Sequence, residues 1–277
     1  MTILKRSYSS LLSFVQINKL KAILAFLMLG TSCSSLKYSN VSAYKVELLE
    51  NMSYEQLLGV ADKIGNQYQS NPKNKKVGIA YADVLRRVGR SKQALAVMQQ
   101  IIIQNPNDRS TLSEYGKALA AAGYLEEALA AIERAQTPDM PDWKLISAKA
   151  SILSQMGRYH EARTQFNNAL DFAPNEPSIL SNMAMSYLLE GNIQKSEENL
   201  RIASAMQGAN SSVRQNLALV VGLQGRIKEA YTIAQQDLSP EAAARNMSYL
   251  KSTLSHKDYW KKIREKDQRL LNVQDIK

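Results

Sequence analysis

Few side chains in this sequence can act as nucleophiles, metal ligands or proton carriers near neutral pH. There is one Cys, Cys33, and there are two His, His160 and His256. A lone thiol can carry a thioether, but it makes no intramolecular disulfide, no cysteine-based zinc site and no CxxC redox pair. No GxSxG, HExxH or phosphate-cradling glycine-rich loop occurs. Acid pairs such as Glu126-Glu127 and Glu197-Glu198 read as residues that begin helices, where negative charge meets the positive end of the dipole. The expectation is a non-enzyme with no catalytic residue, no metal, no cofactor and no small-molecule substrate.

Cys33 does have a chemical context. Lys19 and Lys21 precede the apolar run Ala22 to Gly30, followed by Thr31, Ser32 and the cysteine. Cations, a short apolar stretch and small residues before a cut are the parts of a secretory signal. The apolar run is well short of the roughly 20 residues that span a bilayer as a helix. We therefore expect residues 1–32 to be a signal peptide and Cys33 to be lipidated at a bacterial lipobox, with 33–53 a lipid-anchored linker. Gly30 stands where lipoboxes usually carry Leu. An ordinary secretory signal, or an uncleaved anchor with a buried cysteine, fits the same residues. By resemblance to lipoproteins of Gram-negative bacteria, Ser34 after the cysteine implies the periplasmic face of the outer membrane.

The net charge of +10 falls to +6 when Lys5, Arg6, Lys19 and Lys21 are set aside. The remaining cations are scattered among acids, without the basic stripe and interleaved aromatics that nucleic acid calls for. No nucleic-acid partner is expected.

The rest of the chain is periodic. Gly89, Gly123, Gly157, Gly191 and Gly225 recur every 34 residues. Five residues after each comes Ala94, Ala128, Ala162, Ser196 and Ala230; seven before each comes Ala82, Gly116, Ala150, Ala184 and Ala218. Apolar residues recur at three- and four-residue steps on both sides of each glycine, which is the period of an amphipathic helix. Each unit thus reads as two helices joined at a glycine, with Pro106 and Pro174 stopping second helices. These positions resemble the tetratricopeptide (TPR) repeat over about Asn74 to Ala243. The resemblance implies an all-α helix-turn-helix solenoid of about five repeats at 54–254, with an extra helix over Tyr54 to Tyr68 and a capping helix over Glu241 to Leu254. Gly78, Arg214 and Asp237 depart from the pattern, as terminal repeats do. Residues 255–277 form a charged tail with Tyr259, Trp260, Ile263, Leu270 and Leu271, suited to an amphipathic helix or to a solvated extension.

The same resemblance places a protein-binding groove on the first helix of each unit. Its positions are Lys76, Ile79, Asp83, Arg86 and Arg87 in unit one, and Ser113 and Lys117 in unit two. Unit three offers Lys144, Ser147 and Ser151, unit four Ser181, Met185, Leu188 and Leu189, and unit five Gln215, Leu219 and Leu223. Such a groove passes from basic and polar to apolar, and suits a ligand with an acidic end and a hydrophobic anchor. For Leu188, Leu189 and Leu223, packing against neighbouring helices is the competing reading. The Lys-x-x-x-Asn pair that clamps a C-terminal carboxylate in chaperone-binding TPR domains occurs only as Lys195 and Asn199, on an outer helix.

The segment from Val213 to Arg226, with Asp237 to Ala243, Asn246, Tyr249 and Leu250 beyond, resembles the TadD family of TPR lipoproteins of tight-adherence (Flp-type) pilus assembly. Asn182 to Tyr187 with Glu190-Gly191 fit that family's preceding unit. The resemblance implies a pilotin-like outer-membrane lipoprotein whose partner is the pilus secretin or another pilus-assembly subunit. A TPR lipoprotein that docks peptidoglycan hydrolases, or one that serves outer-membrane protein insertion, is the alternative.

Overall fold

The computed structural model describes residues 54–254 apart from 138 and 140, together with 49 and 52. An N-terminal helix α1 (Tyr54–Ser70) precedes five helix pairs: α2 (Lys75–Arg87) with α3 (Ser91–Gln104), α4 (Arg109–Ala122) with α5 (Leu125–Ala135), α6 (Trp143–Gln155) with α7 (Tyr159–Phe172), α8 (Pro177–Glu190) with α9 (Ile193–Ala205), and α10 (Ser211–Leu223) with α11 (Ile227–Ala234). Helix α12 (Pro240–Leu254) closes the stack. This is the helix-turn-helix solenoid the 34-residue register implies, and the two terminal helices lie where they are expected.

Local chemistry explains why the boundaries repeat so evenly. Every first helix starts after an Asx or Glu cap spaced by 34: Asn74, Asp108, Asp142, Glu176 and Asn210. Each of these side chains accepts a hydrogen bond from a backbone N–H in the first turn, such as Val77 N for Asn74 and Thr111 N for Asp108. That satisfies a donor which helix geometry otherwise leaves orphaned. Every first helix then ends at the repeated glycine, whose φ lies between 76° and 95°. The next residue's N–H reaches back to a carbonyl of the last turn, as in Arg90 N to Leu85 O (2.8 Å) and Asn192 N to Tyr187 O (2.8 Å). A side chain with a Cβ is strained at such a φ, so only Gly makes this turn cheaply.

Successive first helices touch one another (α2–α4, α4–α6, α6–α8 and α8–α10), while contact between successive second helices is slighter. The first helices are therefore the crowded, inner layer and the second helices the outer one. The repeated small residues sit where the two layers meet, all buried. Ser196 is the exception in kind: it takes an Ala position at 0% exposure, and its Oγ has no hydrogen-bond partner. A buried hydroxyl without a partner costs about 1–3 kcal/mol. Ser196→Ala should therefore raise stability by about 1 kcal/mol in a denaturant titration; a loss would show that the hydroxyl is satisfied.

Both ends are sealed. Leu57, Val60, Ala61 and Ile64 of α1 pack on Val84 of α2 and on Val88 just after it, joined by the buried Leu49. Leu49, within the span read as linker, is itself buried in this cluster. At the other end Ala243, Met247 and Leu250 of α12 bury against α10 and α11, while Glu241, Arg245, Ser248 and Lys251 face out. This polar outer face is what a capping helix needs.

The departures at Gly78, Arg214 and Asp237 have a common explanation. Residue four of each first helix stands 23 positions before a residue of its partner helix or, in unit five, of the turn that follows it. In the three middle units these are Leu112 and Ala135, Ile146 and Ala169, and Leu180 and Ala203. In unit one the sizes are exchanged: Gly78 makes room for Ile101, whose Cδ1 stands 2.5 Å from where a Cβ on Gly78 would lie. In unit five the pair is ionic: Arg214 Nε donates to Asp237 Oδ2 at 2.9 Å, and Arg214 Nη1 donates to Ala209 O at 2.8 Å.

Candidate functional site

The inner face is built by α2, α4, α6, α8 and α10, so the expected groove residues can be placed one by one. Lys76 and Lys144 are exposed. Ile79, Asp83, Arg86, Arg87, Ser113, Lys117, Ser151, Met185, Leu189 and Gln215 are half-buried. Ser147, Ser181, Leu188, Leu219 and Leu223 are buried, and as groove residues they are corrected. Leu219 and Leu223, at 1% and 3% exposure, belong to the core formed with Leu217, Val221 and Leu250. Helix α12 packs where the first helix of a sixth unit would stand, and it comes so close that Leu250 Cδ1 would lie 2.8 Å from a Cβ on Gly222. The hydrophobic anchor of the groove shrinks to Met185 and Leu189.

Ser147 and Ser181 hold the inner layer together. Asn182 Nδ2 donates to Ser147 Oγ at 3.2 Å, and Asn216 Nδ2 donates to Ser181 Oγ at 3.1 Å, so each bond joins one first helix to the next. Ser154 Oγ meets Ser186 Oγ at 2.7 Å in the same seam. The sequence carried this signal as two Ser and two Asn in 34-residue register, but the register of small residues and glycines overlooked it.

At the N-terminal end the basic residues are not free cations. Arg86 Nη2 donates to Asp83 Oδ1 at 2.6 Å and to Glu114 Oε2 at 3.2 Å, Arg87 Nε to Asp83 Oδ2 at 3.0 Å, and Lys117 Nζ to Glu114 Oε1 at 2.6 Å. Burial opposes ionisation of Asp83, but the Arg86 and Arg87 guanidiniums outweigh it and hold the carboxyl below its usual range. Asp83 therefore stays ionised at neutral pH. Lys76 and Lys144 have no carboxylate partner among the described residues; Lys144 Nζ lies 5.4 Å from the ring centroid of its neighbour Trp143.

A second network lies away from this face. Glu197 accepts from Arg226 Nη1 at 2.7 Å and from Gln224 Nε2 at 2.6 Å, while Arg201 joins it to Glu229. Burial works against the Glu197 carboxylate, yet these donors pull it down to about 2. Glu197 thus stands a turn into α9, tying unit four to unit five, and is not a first-turn acid; Glu126 and Glu127 are. His160 is exposed on α7. Among the described residues no cluster of His, Cys, Asp or Glu could hold a metal ion, and no helix is long and apolar enough to cross a membrane. Cys33, the signal segment, His256 and the tail lie outside the described residues.

Family models of the tetratricopeptide repeat match residues 80–142 and 144–176. No curated protein sequence matches the chain. Among solved structures, a tetratricopeptide repeat protein from Parabacteroides merdae superposes with a TM-score of 0.59 at 14% identity, over 71% of this chain and 78% of that one. A thermophilic TPR protein of Thermus thermophilus gives 0.52 at 21% identity, over 64% of this chain and 98% of that one. At these identities the likeness speaks for the fold.

Proposed function

We propose that this stack of tetratricopeptide repeats, a protein–protein interaction scaffold, is a lipid-anchored adaptor of tight-adherence pilus assembly, with a pilotin-like role toward the pilus secretin or another assembly subunit. The observation that carries the adaptor reading is the inner face. It spans five units, is closed by a helix at each end, and offers cations, hydroxyls, amides and the apolar side chains of Ile79, Met185 and Leu189, with no metal cluster among the described residues. Such a surface can hold a segment of another protein and do no covalent chemistry on it. The membrane and pilus parts of the reading draw on the basic-then-apolar run before Cys33 and on the segment from Val213 to Leu250.

In this reading acylation at Cys33 holds the solenoid at the periplasmic face of the outer membrane, and the tether raises its encounter rate with a membrane-bound partner. Cys33→Ser should move the protein from the membrane fraction to the soluble periplasmic fraction; wild-type retention would overturn the lipid anchor. The partner is tested by cross-linking in intact cells, pull-down from solubilised envelope and mass spectrometry. Recovery of the secretin supports the pilus role. Recovery of peptidoglycan hydrolases or of barrel-insertion subunits in its place would keep the adaptor and remove the pilus assignment.

A further inference from the structure

The inner face is divided electrostatically, and the division falls between units three and four. Over units one to three its register positions hold Lys76, Arg86, Arg87, Lys117 and Lys144 against Asp83 and Glu114, a surplus of three positive charges. Over units four and five the same positions hold Ser, Asn, Gln, Met, Gly and Leu, and not one charge. From this asymmetry we infer that the face takes an extended protein segment in one direction only, with an acidic stretch over units one to three and an uncharged stretch over units four and five. The inference rests on the scaffold reading and adds the chemistry and polarity of the ligand.

Three features make the cationic half suited to carboxylates. Asp83 and Glu114 fix Arg86, Arg87 and Lys117 in place, so little side-chain entropy remains to be lost when a ligand arrives. Arg87 spends only its Nε on Asp83, which leaves its terminal nitrogens for another acceptor. Lys76 and Lys144 are exposed and have no carboxylate partner among the described residues, one at the start of unit one and the other at the start of unit three. Lys76 and Lys144 stand at the starts of α2 and α6, and the fixed guanidinium pair stands about 15 Å further along α2, so an acidic stretch over units one to three meets cations on both sides of the face. In the uncharged half, Met185 and Leu189 offer apolar contact, while Asn182, exposed, and Gln215, half-buried, offer side-chain amides. A charged residue placed there would lose hydration without gaining a counter-ion, which sets the direction.

The test uses the protein from Cys33 onward without its lipid, and two fluorescent peptides of identical length. One carries Glu residues in one half and Ser, Ala and Leu in the other; its control has Lys in place of every Glu. Fluorescence anisotropy should show at least tenfold tighter binding of the Glu peptide, weakening steeply as salt is raised. Lys76→Glu with Lys144→Glu, both exposed and therefore neutral to folding by circular dichroism, should cost about tenfold or more for the Glu peptide. Equal affinity for the two peptides, no binding by either, or an unchanged affinity in the double variant would each overturn the inference. So would tighter binding of a single-stranded oligonucleotide, which would assign the cations to phosphates. Capture of the secretin from the envelope by the double variant would reject this ligand chemistry while leaving the pilus adaptor standing.

Discussion

Asp237→Ala should destabilise the C-terminal end of the solenoid by about 2–3 kcal/mol, because it strands a guanidinium that the fold has taken largely out of water. Arg214 and Asp237 are 25% and 11% exposed at their side chains, so the pair is neither a surface ion pair of small value nor a fully buried one. Asp237 accepts from Arg214 and also from Gln215 Nε2 at 3.3 Å; its loss takes the carboxylate from both, leaving Arg214 with Ala209 O and Gln215 with Ala234 O. The informative partner experiment replaces both residues, Arg214→Leu with Asp237→Ala, which installs the pair that units two and four already use. That double variant should recover most or all of the loss, since buried ion pairs are often no better than well-packed apolar ones. Stability is read from denaturant midpoints, and hydrogen exchange should place the loss in α10, α11 and α12, as expected when a repeat stack opens from a weakened end. Additive losses in the double variant would show that the two residues are independent.

This pair marks what the sequence discloses and what it conceals. The glycine and small-residue register identified the helices, their order and the turn geometry, because each of those depends on a residue type at one position. Arg214 and Asp237 stood out as departures one at a time, but their bond joins α10 to the turn after α11 and belongs to no local pattern. The cap ladder from Asn74 to Asn210 was legible in principle, since it shares the 34-residue register. The inner-face leucines were not. Leu189 and Leu223 hold the same place in the repeat, yet one is half-buried and the other buried, because α12 closes only the last unit. Burial of a repeat position depends on what stacks next to it, and periodicity is blind to that.

The same coupling can be inverted at the other end of the stack. Gly78→Leu should destabilise unit one by about 2–3 kcal/mol, because its Cβ alone would stand 2.5 Å from Ile101 Cδ1 and 2.7 Å from Cγ1. A helix-interior Gly normally loses about 1 kcal/mol against better helix formers, so in an open site the substitution would be a gain. Two atoms of Ile101 stand in the way here, and both sit on a side chain only 1% exposed that has nowhere to move. Ile101→Ala alone should cost about 2–4 kcal/mol through the cavity it leaves beside a residue with no side chain to fill it. Together, Gly78→Leu and Ile101→Ala recreate the Leu112 and Ala135 arrangement of unit two, and the double variant should be more stable than either single one. The thermal midpoint of each variant checks the cycle. A favourable coupling at Gly78 and Ile101, set beside one at Arg214 and Asp237, would mean that the repeat constrains the sum of two positions and leaves each one free. That freedom is how the terminal units of this chain depart from the pattern at single residues and still fold as repeats.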